Sequence, residues 1–148
     1  MKSTITTLLF FFTLTVFSQE PIDTSEIFTV VEDMPVFPGC EDLDTNDERK
    51  KCTETNLLKL IYKINTSSLN DTCLFSSLVV ISFVIDTTGQ VTEIKKIKGC
   101  ESLVKEVIRV TESMNEKPRR WKAGEQNGEK VRVKYIYPMR LCFRQNRD

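Results

Sequence analysis

The side chains best suited to chemistry in this sequence are its five cysteines. They are Cys40, Cys52, Cys73, Cys100 and Cys142. No two of them form a Cys-x-x-Cys pair, so their spacing indicates neither a thioredoxin-like redox motif nor a zinc ribbon. The chain also contains no histidine, which excludes Ser-His-Asp and Cys-His catalysis and imidazole ligation of a metal. Disulfide formation is therefore the chemistry that these cysteines favour.

A second candidate is a cluster of carboxylates at Glu41, Asp42, Asp44 and Asp47. Such a run of charges usually lies on a solvated surface. Its oxygen atoms suit Ca²⁺, but their spacing is not that of an EF-hand loop. Because no nucleophile can be paired with a base, we expect a protein that is not an enzyme and that uses no metal and no cofactor. A net charge of zero also argues against a general nucleic-acid-binding protein.

The N-terminus has the three parts of a secretory signal peptide. Lys2 supplies a positive charge, and Leu8 to Phe17 form an apolar stretch. Val16 and Ser18 occupy the −3 and −1 positions of a cleavage site before Gln19. The apolar stretch is shorter than the roughly 20 residues that a membrane-spanning helix needs. We therefore predict that this signal is removed and that the mature chain is exported into an oxidising compartment. A retained signal that serves as an anchor is the alternative.

The first part of the mature chain is predicted to form an extended arm followed by a helix. Residues 19–52 contain Pro35 and Pro38, which exclude a helix around them, and then a highly charged loop. Thr53 has the properties of an N-cap. The apolar residues after it repeat with the 3.6-residue period of an amphipathic helix that ends near Asn65.

Three strands and a second helix are predicted in the remainder. The residue pattern changes to a period of two at 78–85, which indicates a strand. Residues 86–90 have the composition of a hairpin turn, and 91–98 are the returning strand, with a bulge where the alternation is irregular. A helical period follows at 101–114, and the clearest alternation in the chain, at 131–143, predicts the last strand.

These elements predict an α+β fold, with a small antiparallel three-stranded sheet packed on one long helix and with an extra N-terminal helix. A hairpin joins the first two strands, and a helix joins the second to the third. The spatial order is therefore 2-1-3, with the strands numbered along the chain. The last strand then lies at an edge of the sheet. This position suits Pro138, because proline has no N–H to donate to a neighbouring strand.

An exposed edge is a template on which another strand can pair. In an antiparallel strand, alternate residues direct both backbone groups to the same side. The residues that share the outward direction of Pro138 are Arg132, Lys134, Ile136 and Arg140. We predict that these four residues and Trp121 bind a partner. Plain protection of the edge is the alternative for the strand, and a position in the core is the alternative for Trp121. Residues 66–148 carry 15 basic and 10 acidic side chains, which favours an acidic partner.

The predicted topology also sorts the cysteines. Cys40 and Cys52 bracket the loop before the first helix, so we predict a bridge between them. Cys73, Cys100 and Cys142 all lie at one end of the sheet, and one further bridge is predicted among these three. The pair Cys73–Cys100 is preferred because Cys73 lies in a pliant loop. Cys142 is then left as a free thiol or an intermolecular link.

Two segments resemble TonB-like exported proteins of the Bacteroidetes type, which carry a TonB C-terminal domain. Residues 31–39, VEDMPVFPG, resemble the lead-in of these proteins, and residues 84–144 resemble the domain itself. The matching pieces within the domain are 86–91, 97–99, 113–114, 121–128 and 131–135. The Trp-x-x-Gly-x-x-x-Gly spacing in the fourth of these pieces is the most specific.

The resemblance implies a domain at 53–148 that follows a signal peptide at 1–18 and an arm at 19–52. It implies a periplasmic protein that docks a peptide strand of an outer-membrane receptor on its terminal strand, in energy-coupled transport. The sequence has no proline-rich spacer that would extend across the periplasm. We therefore expect a soluble module, or a module that keeps its signal as an anchor. A structural homodimer formed through the same edge strand is the alternative function.

Overall fold

The computed structural model describes residues 25–69 and 78–141. The predicted signal peptide and the residues Cys73 and Cys142 lie outside these ranges. The elements, labelled here in chain order, are β1 (Ile27–Phe28), α1 (Asn46–Lys59), β2 (Leu78–Ile85), β3 (Val91–Lys98), α2 (Glu101–Glu112), β4 (Gly124–Gln126) and β5 (Glu129–Arg140). Short 3₁₀ turns at Leu60–Lys63, Thr66–Ser68 and Ser113–Glu116 extend or follow the helices.

The strands form a five-stranded mixed sheet. Its order is β1-β5-β2-β3, with β4 paired to β5 off this path. The strand β1 is parallel to β5, whereas β2 is antiparallel to both β3 and β5. The predicted three-stranded antiparallel sheet on one long helix is therefore wrong: the three long strands are paired as neighbours, but inside a larger mixed sheet with two helices. The strands β1 and β4 have only two and three residues. Strands this short show no alternating pattern from which they could be predicted.

Helix α1 begins earlier than the sequence pattern predicts. Its N-cap is Thr45, whose hydroxyl accepts a hydrogen bond from the Glu48 N–H at 3.2 Å, while the Glu48 carboxylate accepts one from the Thr45 N–H at 3.1 Å. The sequence motif of this reciprocal capping box is Thr-x-x-Glu. Thr53, the predicted N-cap, is instead buried inside the helix, where its hydroxyl accepts a hydrogen bond from the Phe37 N–H at 3.1 Å.

Both helices pack on the same face of the sheet. Val79, Ile81 and Phe83 of β2 meet Leu57 of α1 and Val107 of α2 in one apolar core. The opposite face, here called the open face, carries the alternate side chains of β2 and β5. Within the described part of the chain, no helix is long and apolar enough to cross a membrane.

The hairpin between β2 and β3 forms as predicted and also holds the loop that contains Trp121. The Asp86 carboxylate accepts hydrogen bonds from the N–H groups of Thr88 at 2.8 Å and Gln90 at 2.9 Å. Gly89 has a φ of +78°, and a Cβ there would lie 2.0 Å from the Trp121 carbonyl oxygen. Glycine is therefore required at this contact. The predicted irregularity of β3 is confirmed, because the register with β2 shifts at two places.

The arm is tied to the rest of the molecule by backbone pairing and by a disulfide. Asp33 exchanges two hydrogen bonds with Glu125 at 3.1 and 2.9 Å, and Val36 exchanges two with Lys122 at 3.1 and 3.0 Å. The predicted bridge between Cys40 and Cys52 is confirmed, and it joins the arm to α1.

A second disulfide involves Cys100. Cys73 lies outside the described ranges, so the pairing of Cys100 with Cys73 stays a prediction. Cys142, predicted to be left over, lies outside these ranges as well.

Candidate functional site

The outer side of β5 is closed over part of its length by the chain itself. Strand β1 pairs Ile27 with Arg132 and Phe28 with Val133. Because β2 occupies the other side of β5, the prediction that this strand lies at an edge is wrong for these residues. The segment that forms β1 lies within the predicted extended arm, and no local pattern indicates that it pairs with residues about a hundred positions later.

The outer side of β5 beyond Val133 is different. Among the described residues, no strand pairs there with the stretch from Lys134 to Arg140, which we call the open edge. On the inner side the whole stretch is paired, from Lys134 with Val84 to Arg140 with Leu78. Pro138 lies opposite Val80 in this register, which supports an outward direction for its backbone nitrogen. Pairing with β2 therefore holds the backbone of the open edge in place along its whole length.

The open face beside this edge is basic. Lys95 and Lys98 lie opposite Ser82 and Val80 of β2, so their side chains belong to the same face as Val80. Lys134 and Arg140 add two positive charges on β5 at alternate positions. Among the described residues, neither of these two forms an ion pair with a carboxylate. The apolar member of this row, Ile136, is 60% exposed.

Arg132 is held within the molecule. Its guanidinium contacts the Glu93 carboxylate and donates to the Ser25 carbonyl at 3.2 Å. Glu93 has a φ of +47° at a bulge of β3, and its carboxylate also lies 3.5 Å from the Lys95 ammonium. Arg132 therefore links the residue Ser25 before β1 to β5 and β3, and of the predicted basic contacts only Lys134 and Arg140 form no ion pair among the described residues.

Trp121 lies in the core. It is 4% exposed, and its ring centroid is 5.2 Å from that of Phe37, 5.6 Å from Tyr135 and 6.2 Å from Phe83. Its indole N–H has no hydrogen-bond partner among the described residues. The side chain therefore closes the core under the arm, as the alternative interpretation had it, and does not contribute to a surface groove.

A pocket of about 320 Å³ opens next to the open edge. Four segments line it: the arm, the first turns of α1, the residue Lys122 before β4, and Tyr135 of β5. Its apolar lining comes from the arm and from the Tyr135 ring, and charged side chains of both signs surround it. Residues that line it include Met34, Pro35, Thr53, Glu54, Lys122 and Tyr135. No local sequence pattern predicts this pocket, because its walls come from four separate segments.

Tyr135 links the pocket to the core. Its hydroxyl donates a hydrogen bond to the Pro35 carbonyl at 2.7 Å, and its ring stacks on Phe83 with centroids 5.5 Å apart. Burial, and secondarily the negative charge of Glu54, raise the pKa of Tyr135. Burial also raises the pKa of Tyr137 to about 12. Both phenols are therefore neutral at physiological pH, and Tyr135 acts as a hydrogen-bond donor that fixes the arm.

Replacing Tyr135 with phenylalanine removes this donor and leaves the Pro35 carbonyl without its partner. We expect the free energy of unfolding to fall by about 1 kcal/mol, and the Val36 amide to exchange with solvent faster, because the arm is held less tightly. Urea unfolding and hydrogen exchange measure the two effects. The matched control is Tyr62→Phe: Tyr62 is 89% exposed, and its variant is expected to behave as the unmodified protein. Equal stability and exchange in both variants would contradict the assigned role of Tyr135.

In the cluster first considered for chemistry, the Glu41 side chain and the Asp44 backbone take part in local structure. The Glu41 carboxylate accepts a hydrogen bond from the Gly39 N–H, and the Asp44 carbonyl accepts one from Arg49 at 3.2 Å. Within residues 25–69 and 78–141, no three cysteine or carboxylate side chains converge as a metal site would require. The geometry of the described residues suits binding through backbone groups, charge and an apolar pocket.

Comparison of the chain with protein-family models, with curated proteins and with solved structures found no match. The resemblance to the TonB C-terminal domain therefore stays a prediction from the sequence.

Proposed function

We propose that the protein is a binding module that accepts an extended segment of a partner protein along the open edge. The observation that carries this proposal is the length of β5 that is paired on its inner side and bare on its outer side among the described residues. At about 3.4 Å per residue, residues 134–140 offer roughly 24 Å of edge. Backbone hydrogen bonds along such an edge supply affinity for an added strand whatever its side chains are.

The charge of the open face favours an acidic segment. Lys134 and Arg140 flank the exposed Ile136, and Lys95 and Lys98 extend the same positive field across β2 to β3. An added strand places every second side chain on this face. Acidic side chains there would meet Lys134 and Arg140, which form no ion pair among the described residues, and this attraction raises the association rate and selects against basic segments.

The class of partner follows from the resemblance, and it is part of the proposal. We propose that the segment belongs to an outer-membrane receptor and that binding takes place in the periplasm, as in the family that the sequence resembles. The disulfide between Cys40 and Cys52 supports this location, because such bonds persist in oxidising compartments. The proposed role is binding in energy-coupled transport, without catalysis.

The structural homodimer is less well supported by the same edge. An antiparallel pairing of two copies that uses the whole open edge is centred on Tyr137, so it places Lys134 of each copy opposite Arg140 of the other. Like charges directly opposite each other are destabilising. Analytical ultracentrifugation decides between the two functions: the binding module is expected to sediment as a monomer, and a stable dimer would favour the alternative.

The direct test is an NMR titration of the isotope-labelled mature chain, residues 19–148, with synthetic peptides from the N-terminal segments of outer-membrane receptors. We expect the amides of Lys134, Ile136 and Arg140 to shift together on binding, because they face the added strand. The amides of β3, at the far edge of the sheet, are expected to stay in place. If no such peptide moves the β5 amides, the proposed function is wrong.

A proline substitution separates backbone docking from side-chain contact. Ile136→Pro removes an outward N–H but leaves the pairing with β2, as Pro138 already does two residues later. We expect about tenfold weaker binding of the receptor peptide. The matched control, Ile136→Ala, keeps the N–H and removes most of the side chain, so a smaller loss is expected. Equal losses in both variants would show that the side chain, rather than the edge, provides the affinity. Circular dichroism verifies that both variants are folded.

A further inference from the structure

The pocket beside the open edge has a defined position relative to a docked strand. Tyr135 belongs to the open edge and also forms part of the pocket wall. Side chains opposite each other on neighbouring strands point to the same face of the sheet, with Cβ atoms about 4.5–5.5 Å apart. A residue docked opposite Tyr135 therefore directs its side chain to the helix-covered face, towards the space between the arm and α1.

The size of the pocket selects one side chain. Its volume of about 320 Å³ is at the lower end of the range for ligand sites, which starts at about 300 Å³. It is too small for a folded segment, and it is large enough for a single aromatic or long aliphatic side chain. Met34 on its wall is still 37% exposed, so an occupant would bury apolar surface that is now in water.

The charges around the pocket do not select an ion. Acidic and basic side chains are mixed there, among them Asp47, Glu54, Lys50 and Lys122. The side chain nearest to the edge, Tyr135, already donates its proton to Pro35. An apolar side chain needs no hydrogen-bond partner, so burying it against this lining has a lower free-energy cost than burying a polar or charged side chain.

We propose that the pocket binds one large apolar side chain of the docked segment, called the anchor, opposite Tyr135, and that acidic residues of the segment face Lys134 on one side of this anchor and Arg140 on the other. The inference rests on the proposed function and states its specificity. The open edge pairs with the backbone of the segment, and the pocket binds the anchor. The basic side chains of the open face favour acidic residues at the alternate positions. Such pockets for alternate side chains are the usual source of selectivity when a strand is added to a sheet.

The test uses heptapeptides that match the seven residues of the open edge, and those with an anchor are made in both directions so that parallel and antiparallel docking are covered. The first pair, DFDTDTD and DTDTDFD, places phenylalanine opposite Tyr135 and aspartate opposite Lys134 and Arg140. The second peptide, DTDTDTD, lacks the anchor, and the third pair, KFKTKTK and KTKTKFK, reverses the charge. We expect the tighter-binding member of the first pair to bind roughly tenfold more tightly than the second peptide, because an apolar ring is buried, and the third pair to bind more weakly than the first.

Two readouts locate the anchor. In the unmodified protein, the methyl resonance of Met34 is expected to shift with the acidic phenylalanine peptide that docks, by the ring current of the bound phenylalanine, and to stay in place with DTDTDTD. Met34→Ser is expected to reduce the difference between these two peptides to less than about threefold, since it makes the pocket wall polar. The matched control is Leu58→Ser, at a residue of α1 that is 54% exposed and outside the pocket, and it should leave the difference intact.

The outcomes separate the two proposals. If all the acidic peptides shift the Lys134 and Ile136 amides equally and the Met34 methyl group does not respond, the pocket inference is wrong and the docking edge survives. If the basic phenylalanine peptides bind as tightly as the acidic ones, the acidic part of the inference is wrong. If no acidic peptide shifts those amides, both the pocket and this use of the edge are wrong. The Met34 resonance keeps the test decisive even where Met34→Ser does not fold.

Discussion

Replacing Trp121 with alanine is expected to lower the free energy of unfolding by about 3–5 kcal/mol, the usual range for deleting a buried aromatic side chain. Trp121 contacts Phe37 of the arm and Phe83 and Tyr135 of the sheet. Its removal leaves a cavity at the point where the arm, the hairpin and β5 meet. Because the total stability of a domain is about 5–15 kcal/mol, this loss brings the variant close to unfolding. Urea denaturation followed by circular dichroism measures it.

Trp121→Phe is the matched control for this prediction. It keeps an aromatic ring in the cluster and removes an indole N–H that has no partner among the described residues, so no hydrogen bond is broken. We expect it to lose less than half as much stability as the alanine variant. A Trp121→Ala protein that is nearly as stable as the unmodified one would contradict the core position and return Trp121 to the list of binding residues.

The second large effect is expected from the Cys40–Cys52 disulfide. Replacing both cysteines with serine should lower the free energy of unfolding by about 3 kcal/mol, because the unfolded chain then regains the freedom that the closed loop removes. Cys40 is fully buried, so a serine hydroxyl there adds a cost of desolvation. The measurement is urea unfolding of the double variant and of the unmodified protein.

Reducing agent provides the control for the disulfide. It is expected to destabilise the unmodified protein more than the double serine variant, since the variant no longer contains this bridge. If the double variant is as stable as the oxidised protein, the bridge does not hold the arm. The arm forms one wall of the pocket, so the same variant is also expected to bind the phenylalanine-containing heptapeptide more weakly.

Both substitutions act on the attachment of the arm, which is the feature that sequence patterns describe least well. Residues 33–36 pair with 122–125, and Phe37 packs on Trp121. The resemblance at VEDMPVFPG pointed to this segment as a recognisable lead-in, without indicating what it contacts. In the structure this segment packs beside the sheet and forms one wall of the pocket next to the open edge.

Local patterns were sufficient for the three long strands and for helix α2. The alternation at 78–85, the glycine-containing turn, the helical period at 101–112 and the alternation before Arg140 each reflect one face buried and one face exposed, which the residues of that element express by themselves. The antiparallel pairing of β2 with β3 followed from the hairpin, and the candidate residues Lys134, Ile136 and Arg140 followed from the alternation of β5 together with Pro138.

The features that close β5 and build the pocket depend on contacts between distant residues. The pairing of Ile27 with Arg132 and of Gly124 with Val131 involves strands too short to carry a period, and their backbone hydrogen bonds depend on position rather than on residue type. The spacing of Thr45 and Glu48 in the sequence is that of a capping box and indicates the start of α1. The apolar period after Thr53 was the stronger pattern, so the predicted start was too late. Residue patterns report how each element divides between core and water. The packing of the whole chain decides which segments come together at an edge or around a cavity. For this reason the open edge is shorter than the last strand, and no sequence pattern predicted the pocket beside it.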